Sequence, residues 1–333
     1  MSATSLSPTR RRVPVIAAAA GAIGVFATTL RAAPEDNAIR RFHINVPEQA
    51  IIDLGRRIAA TPWPAREAVT DQSRGVHLTK IPALVTYWGT GYGWRKVEAT
   101  LNALPMLMTE IDGLDIQFIH VRSCHPNAVK LIITYGWPGS ILGLLKVLDL
   151  LTDPASHGGR ATDAFDLVLL SMPGYGFPEQ PHGTGWGPDR IARAWAVMME
   201  CLRCWHYVSQ AGDWESVISD VMARQAPAGL LGIDANMPAA VPADVAGAVN
   251  NDDPAPAGMS GVKTAAFDSP DIFYKKNCGG GAMMVTRPQT VGYGLSDSPV
   301  GLAARIYAKF AQWTYSGGEL ERSLAKDEML DDI

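Results

Sequence analysis

Short apolar runs that alternate with helical patterns constrain the fold of this chain most strongly. The runs 130–135 and 165–170 have the length and apolar character of strands that are covered on both faces. A helical pattern at 141–151 lies between them, and another at about 188–203 leads to a strand that ends just before Asp213. Strands that alternate with helices predict an α/β fold with a mostly parallel sheet.

The junction at Asp213 is the most informative point along this pattern. An apolar stretch ends at Ala211 and Gly212, the carboxylate follows, and a helical pattern begins at once. In a doubly wound sheet, such a strand–turn–helix junction lifts one side chain above the carboxyl edge of the strands, where ligands bind. An aspartate there predicts a nucleophile that opens a strained or activated C–O or C–halogen bond through an ester. The simpler alternative is that Asp213 caps the following helix, and both roles can hold at once.

Two further turns follow the strands that precede this junction in the chain. The turn 135–140 contains two glycines and a proline, and the turn 173–176 has the same character. Tight turns of this kind expose backbone N–H groups, so the amides of Trp137 and Trp214 are predicted to face a developing oxyanion. We expect the turn at Trp137 to lie within hydrogen-bond reach of Asp213.

Composition excludes several classes of function. The formal net charge is −4, and beyond the N-terminus no block rich in Lys and Arg occurs, which argues against a nucleic-acid partner. Four cysteines are too few and too scattered for a disulfide framework. Cys201 and Cys204 form a bare C-x-x-C within a helical pattern, which favours a buried helix face over a metal or redox site. We expect neither a cofactor nor a metal.

Residues 1–33 have the composition of an export signal. Three arginines at 10–12 precede the mildly hydrophobic run 13–30, and small residues follow at 32 and 33. Adjacent arginines before a weak apolar segment are typical of the twin-arginine route, which predicts a periplasmic or extracellular protein. The alternative is a membrane anchor, because the run is about as long as a bilayer requires.

Changes in pattern predict the domain organisation. Residues 38–110 are expected to form a helical module, 111–239 the α/β core, and 240–333 a helical cap lobe. The stretch 240–262 is rich in Ala, Pro, Gly, Asn and Asp, which is typical of a linker or loop. Asp213 is expected to point into a cleft beneath the cap lobe.

Several blocks in a fixed order show a family resemblance. The chain resembles the microsomal-type epoxide hydrolases, a branch of the α/β-hydrolase fold. The blocks that carry the resemblance are 42–102, 109–116, 136–139, 173–177, 212–214, 286–290 and 297–302.

The resemblance implies a two-step hydrolysis of a small apolar epoxide. Asp213 would attack an epoxide carbon to form an alkyl ester, and the turn at Trp137 would supply oxyanion contacts. Two tyrosines of the cap would protonate the opening oxygen. A histidine backed by a carboxylate would then activate the water that releases a diol.

The sequence departs from the family's pattern at several of these positions. Gly280 occupies the position of a cap tyrosine, Tyr135 replaces a histidine, and Glu215 replaces a glycine after the Asp-Trp pair. Tyr293 and Tyr274 lie near the cap block and are the candidates to substitute for the lost tyrosine hydroxyl.

All seven histidines precede Asp213. In this fold the catalytic histidine follows the nucleophile, so His120, His125 and His206 are poorly placed as general bases. The family's histidine and last core strands would lie beyond residue 333. We therefore expect a truncated, impaired enzyme with an exposed sheet edge and a tendency to form homo-oligomers.

Two other functions remain open. The chain could be a binding or remnant protein that has lost catalysis. It could also be a haloalkane dehalogenase-like hydrolase, in which the indoles of Trp137 and Trp214 would bind the leaving halide.

Overall fold

The computed structural model describes residues 39–178, 180–237, 241–272, 278–317 and 319–333. The predicted export signal, 1–33, lies outside the described residues, as does Tyr274. Within the described ranges, no helix has both the length and the apolar character needed to cross a membrane.

Seven strands form one mixed sheet in the order β1-β2-β3-β5-β4-β6-β7. Pairing is antiparallel from β1 through β3 to β5 and parallel among β5, β4, β6 and β7. The strands are β1 (Arg40–Arg41), β2 (Met106–Ile111), β3 (Leu114–Val121), β4 (Val129–Tyr135), β5 (Phe165–Ser171), β6 (Tyr207–Ala211) and β7 (Leu230–Ala235).

Twelve α-helices accompany the sheet in the described part of the chain. They are α1 (Glu48–Ala59), α2 (Ile81–Thr90), α3 (Trp94–Asn102), α4 (Leu145–Thr152), α5 (Pro188–Cys201), α6 (Asp213–Gln225), α7 (Ala243–Asn251), α8 (Gly261–Ile272), α9 (Gly279–Thr286), α10 (Pro288–Asp297), α11 (Pro299–Trp313) and α12 (Lys326–Asp332). The strands and helices predicted from the apolar runs thus appear in the predicted order.

Both faces of the central strands are buried, as the continuous apolar runs predict. In β5, Val168 and Leu170 pack with α5 and α6 around Trp195, which is fully buried. Leu167 and Leu169 face the opposite side and pack towards α4. Because successive side chains of a strand point to opposite faces, an unbroken apolar run indicates two covered faces.

The chain divides into two compact units. One contains the described residues of 39–237 and 286–333, and the other contains the described residues from 241 to 285. The second unit has a small core of its own around Ala248, Val249 and Phe267.

This division differs from the predicted cap lobe of 240–333, because α10, α11 and α12 belong to the first unit. The reason is a shared apolar cluster. Val300, Ala303 and Tyr307 of α11 are buried with Leu84 and Val85 of α2. Burial of these side chains stabilises the end of the chain against the N-terminal helices.

Two details of the predicted organisation need correction. The stretch 240–262, predicted as linker or loop, contains α7. Alanines at 243, 246 and 248 favour a helix strongly enough to outweigh the nearby prolines and glycines. The predicted helical module 38–110 also contributes strands β1 and β2 to the sheet, because 106–110 pairs with 115–119.

Strand β7 forms one end of the sheet. Its residues Leu231 and Ile233 are 62% and 38% exposed, which is unusual for apolar residues of a parallel strand. An uncovered apolar edge strand offers unpaired N–H and C=O groups to another chain.

We therefore predict that the protein associates as its concentration rises, and that Leu231→Lys weakens this association because a charge opposes edge-to-edge pairing. Light scattering over a concentration series measures the effect. Leu150→Lys, at an exposed position of α4, is the control and should associate like the unmodified chain. A native protein that stays monomeric, or a Leu231 variant that associates equally, would contradict the prediction.

Candidate active site

Three strand ends meet at one edge of the sheet, as the sequence predicts. Tyr135 at the end of β4 pairs with Ser171 at the end of β5. Ile133 pairs with Gln210 in β6, so Tyr135 is level with Gly212, two residues further along each strand. The turns that follow β4, β5 and β6 therefore lie side by side at the carboxyl edge.

Asp213 is the first residue of α6, directly after the turn that follows β6, and its backbone is strained. Its φ of 51° lies in the left-handed region, which costs a residue other than glycine on the order of 1–3 kcal/mol. Gly212, the residue before it, is closely packed, because a Cβ there would meet Asn236 Oδ1 at 2.3 Å and displace that side chain. Gly212, not Asp213, is the N-cap of α6, so helix capping does not account for the aspartate.

The Asp213 carboxylate has one backbone donor. Trp214 N–H donates to Oδ1 at 2.7 Å. The Asp213 side chain is exposed, and Trp214 is 56% exposed. When such a carboxyl is esterified and then attacked at its carbonyl carbon, negative charge develops on a carboxyl oxygen. A donor at 2.7 Å from that oxygen has the distance that oxyanion contacts require.

The turn after β4 carries Trp137, which lies against a half-buried cation of α11. The Trp137–Pro138 peptide is cis. Arg305 of α11 places its guanidinium carbon 5.1 Å from the centre of the Trp137 ring, within cation–π range. Its Nε atom is buried without a hydrogen-bond partner in the described structure, and burial lowers the pKa of Arg305.

Tyr135, at the position where the resembled family has histidine, is held by the neighbouring strand. Its hydroxyl forms a short hydrogen bond with Ser171 Oγ. Burial raises the pKa of Tyr135 to about 12, although the bond to Ser171 opposes that shift. The phenol is therefore neutral and fixed at physiological pH.

Glu215 is the most unusual group at this edge. It is only 6% exposed, and its Oε1 occupies the space that a side chain at Gly136 would need. Met172, after β5, closes the same space. Burial raises the pKa of Glu215 to about 7; its own backbone N–H opposes the shift, and the charge of Asp213 adds to it.

The histidines judged unsuitable from the sequence lie away from this edge. His206 directly precedes β6 and is exposed. His125, before the start of β4, pairs with Asp153 at 2.7 Å. His120 lies within β3 opposite Val168, where burial lowers its pKa.

The comparisons with known proteins agree on one family. The family model described as "Epoxide hydrolase N terminus" matches residues 39–144. A protein of Stigmatella aurantiaca assigned to the epoxide hydrolases is 46% identical over 295 residues, covering 89% of this chain and 65% of that protein. Epoxide hydrolase 1 of Sus scrofa is 33% identical over 320 residues, covering 90% of this chain and 69% of that protein. The chain belongs to the epoxide hydrolase family.

Solved structures of epoxide hydrolases share the fold. Juvenile hormone epoxide hydrolase of the silkworm Bombyx mori superposes with a TM-score of 0.78 at 26% identity, covering 89% of this chain and 73% of that one. Aspergillus niger epoxide hydrolase superposes with a TM-score of 0.75 at 24% identity, over 89% of this chain and 74% of that one. The predicted α/β-hydrolase fold is confirmed. The matched region spans about two thirds of the length of the two relatives named above.

Neither of two positions relevant to proton donation provides a buried hydroxyl. Tyr293 lies in α10 and is 73% exposed. Gly280, at the position of a family tyrosine, lies in α9 and offers no hydroxyl. Neither position supplies a buried donor within its own unit.

Sequence reasoning noted Glu215 only as a departure and missed Arg305 altogether. Glu215 could have been recognised from the sequence, because a bulky acid two residues after the predicted nucleophile stands where the turn leaves little space. Arg305 lies nearly a hundred residues beyond Asp213 within an ordinary helical pattern. Only the packing of α11 brings it to Trp137.

Two other features of the described residues could hold a ligand. Cys124, His125 and Asp153 have ligand atoms within 4.8 Å of one another, before β4 and after α4. A mostly apolar cavity of ≈ 460 Å³ is lined by residues of α1 to α3, α10 to α12 and Phe177, and Asp213 does not line it. The expectation of no metal stays a prediction.

The burial of Glu215 predicts how the stability of the protein depends on pH. Its pKa in the folded protein lies above its usual value of 4.5, so the folded state holds a proton that the unfolded chain has lost between about pH 4.5 and 7. The free energy of unfolding therefore falls as pH rises through this window.

Glu215→Gln should remove this loss, because an amide does not titrate. We compare the free energy of unfolding of the variant with that of the unmodified chain. This difference should be more favourable to the variant at pH 8 than at pH 4.5, by up to about 3 kcal/mol. Urea unfolding at the two pH values measures the difference. Equal stability increments at both pH values would show that Glu215 does not titrate in this range.

Proposed function

We propose that the chain is an epoxide-opening hydrolase in which Asp213 is the nucleophile. One carboxylate oxygen attacks an epoxide carbon, the C–O bond of the ring breaks, and an alkyl ester of Asp213 forms. The single observation that carries the proposal is the strained backbone of Asp213 at the carboxyl edge, in a member of the epoxide hydrolase family.

The arrangement around Asp213 supports ester chemistry. The exposed carboxylate is available to a substrate, and the Trp214 amide already donates to Oδ1. The turn at Trp137, level with Asp213 on the adjacent strand, is proposed to supply a second amide. A small apolar epoxide is the proposed substrate, and the chemistry requires no cofactor.

The second half-reaction is proposed to be the slow one in this 333-residue chain. Hydrolysis of the ester needs a base to activate water, and general base catalysis typically contributes about 10²–10⁴-fold. All seven histidines precede Asp213, and the three examined above lie away from the carboxyl edge. The lack of a hydroxyl at Gly280 is also proposed to slow ring opening.

Incubation with a reactive styrene-type epoxide tests the proposal. We expect the intact mass of the chain to rise by one substrate equivalent, with diol not exceeding about one equivalent in the same period. Asp213→Asn should abolish the adduct, because an amide is a far weaker nucleophile than a carboxylate. Peptide mapping should locate the adduct on the peptide that contains Asp213.

Asp220→Asn is the matched control, because Asp220 is an exposed carboxylate on the same helix. It should form the adduct like the unmodified chain. Diol well beyond one equivalent that depends on Asp213 would overturn the proposed impairment. The absence of any adduct would favour a binding or remnant protein, and chloride release from a chloroalkane would favour a dehalogenase.

Export through the twin-arginine route is proposed from the composition of residues 1–33. Expression with the native N-terminus in a host that has this route should place the protein in the periplasm, with its first residue near position 34. Replacing all three arginines at 10–12 with lysines should retain it in the cytoplasm. Exported protein that begins at residue 1 would contradict cleavage.

A further inference from the structure

A buried carboxyl stands beside the nucleophile without a role in the proposed mechanism. Glu215 lies two residues after Asp213 in the first turn of α6 and is only 6% exposed. Its Oε1 lies against the Cα of Gly136, in the turn that leads to Trp137. The carboxyl is therefore enclosed between the Asp213 turn and the turn that is proposed to bind the oxyanion.

We propose that Glu215 is a positioning residue that controls the reactivity of Asp213 through its own charge. Its carboxyl acts from the buried space between the Asp213 turn and the Gly136 turn. The proposal deepens the proposed function, because it rests on Asp213 as the nucleophile.

The direction of the effect follows from the movement of charge during ring opening. Asp213 begins as a carboxylate and ends as a neutral ester, while the electron pair of the broken C–O bond passes to the epoxide oxygen. That oxygen then takes a proton from water. A negative charge on Glu215 repels the carboxylate of the ground state more than the ester, so ionised Glu215 accelerates alkylation.

In the described part of the chain, the titratable groups that interact with Glu215 are Asp213 and Tyr175. Burial raises the pKa of Tyr175 above its usual range, with a further contribution from Glu215. Gly136 and Met172, which enclose the carboxyl, do not titrate. The cation Arg305 lies over the ring of Trp137 and keeps its charge in the neutral range. Near pH 7, the charge at this contact is therefore set by Glu215.

The experiment measures the rate of Asp213 alkylation by intact mass between pH 5.5 and 8.5. The unmodified chain should alkylate on the order of tenfold faster at pH 8.5 than at pH 5.5. The reason is that the charges of Glu215 and Asp213 interact appreciably in a partly buried site. Glu215→Gln, which keeps the shape and the hydrogen-bonding capacity, should alkylate at a pH-independent rate close to the slow limit. Glu200→Gln, at an exposed position of α5, should keep the native profile.

The possible outcomes separate this inference from the proposed function. No adduct at any pH would overturn both. An adduct that depends on Asp213 but has the same pH profile in the native chain and Glu215→Gln would overturn the role of Glu215 alone. A Gln variant that is slower by a constant factor at every pH would indicate a purely structural role and would also overturn the inference.

Discussion

The parallel pairing of β4 with β5 and β6 is the constraint on which the site depends. Because the three strands run in one direction and in fixed register, their carboxyl ends arrive together at one edge. Asp213, the turn at Trp137 and Ser171 come from segments far apart in the sequence. The hydrogen bond between Tyr135 and Ser171 ties two of these ends together at the edge itself.

Much of the fold could be predicted because it depends on local pattern. The unbroken apolar run 165–170 indicated a strand covered on both faces, and Leu167 and Val168, which face opposite sides, are both buried. The small residues before Asp213 indicated a sharp turn, which agrees with the positive φ of Asp213. The helix α7 was missed because alanine-rich segments with prolines and glycines resemble loops. Composition alone does not separate these two cases.

The missed features depend on contacts between residues distant in sequence. Nothing around Arg305 indicates that its guanidinium lies over Trp137, since the contact requires α11 to pack beside the α/β core. The same packing places Val300 and Tyr307 against α2, which divides the predicted cap lobe. Pairwise tertiary contacts of this kind leave no periodic signal in one sequence.

The close fit between Gly136 and Glu215 makes the two positions interdependent. A side chain at 136 would compete with the glutamate at 215 for the same space beside Met172. A larger residue at 136 is therefore accommodated only if the Glu215 and Met172 side chains move away. Packing couples the side chains at these three positions, so libraries that aim to reshape this edge should vary positions 136, 172 and 215 together.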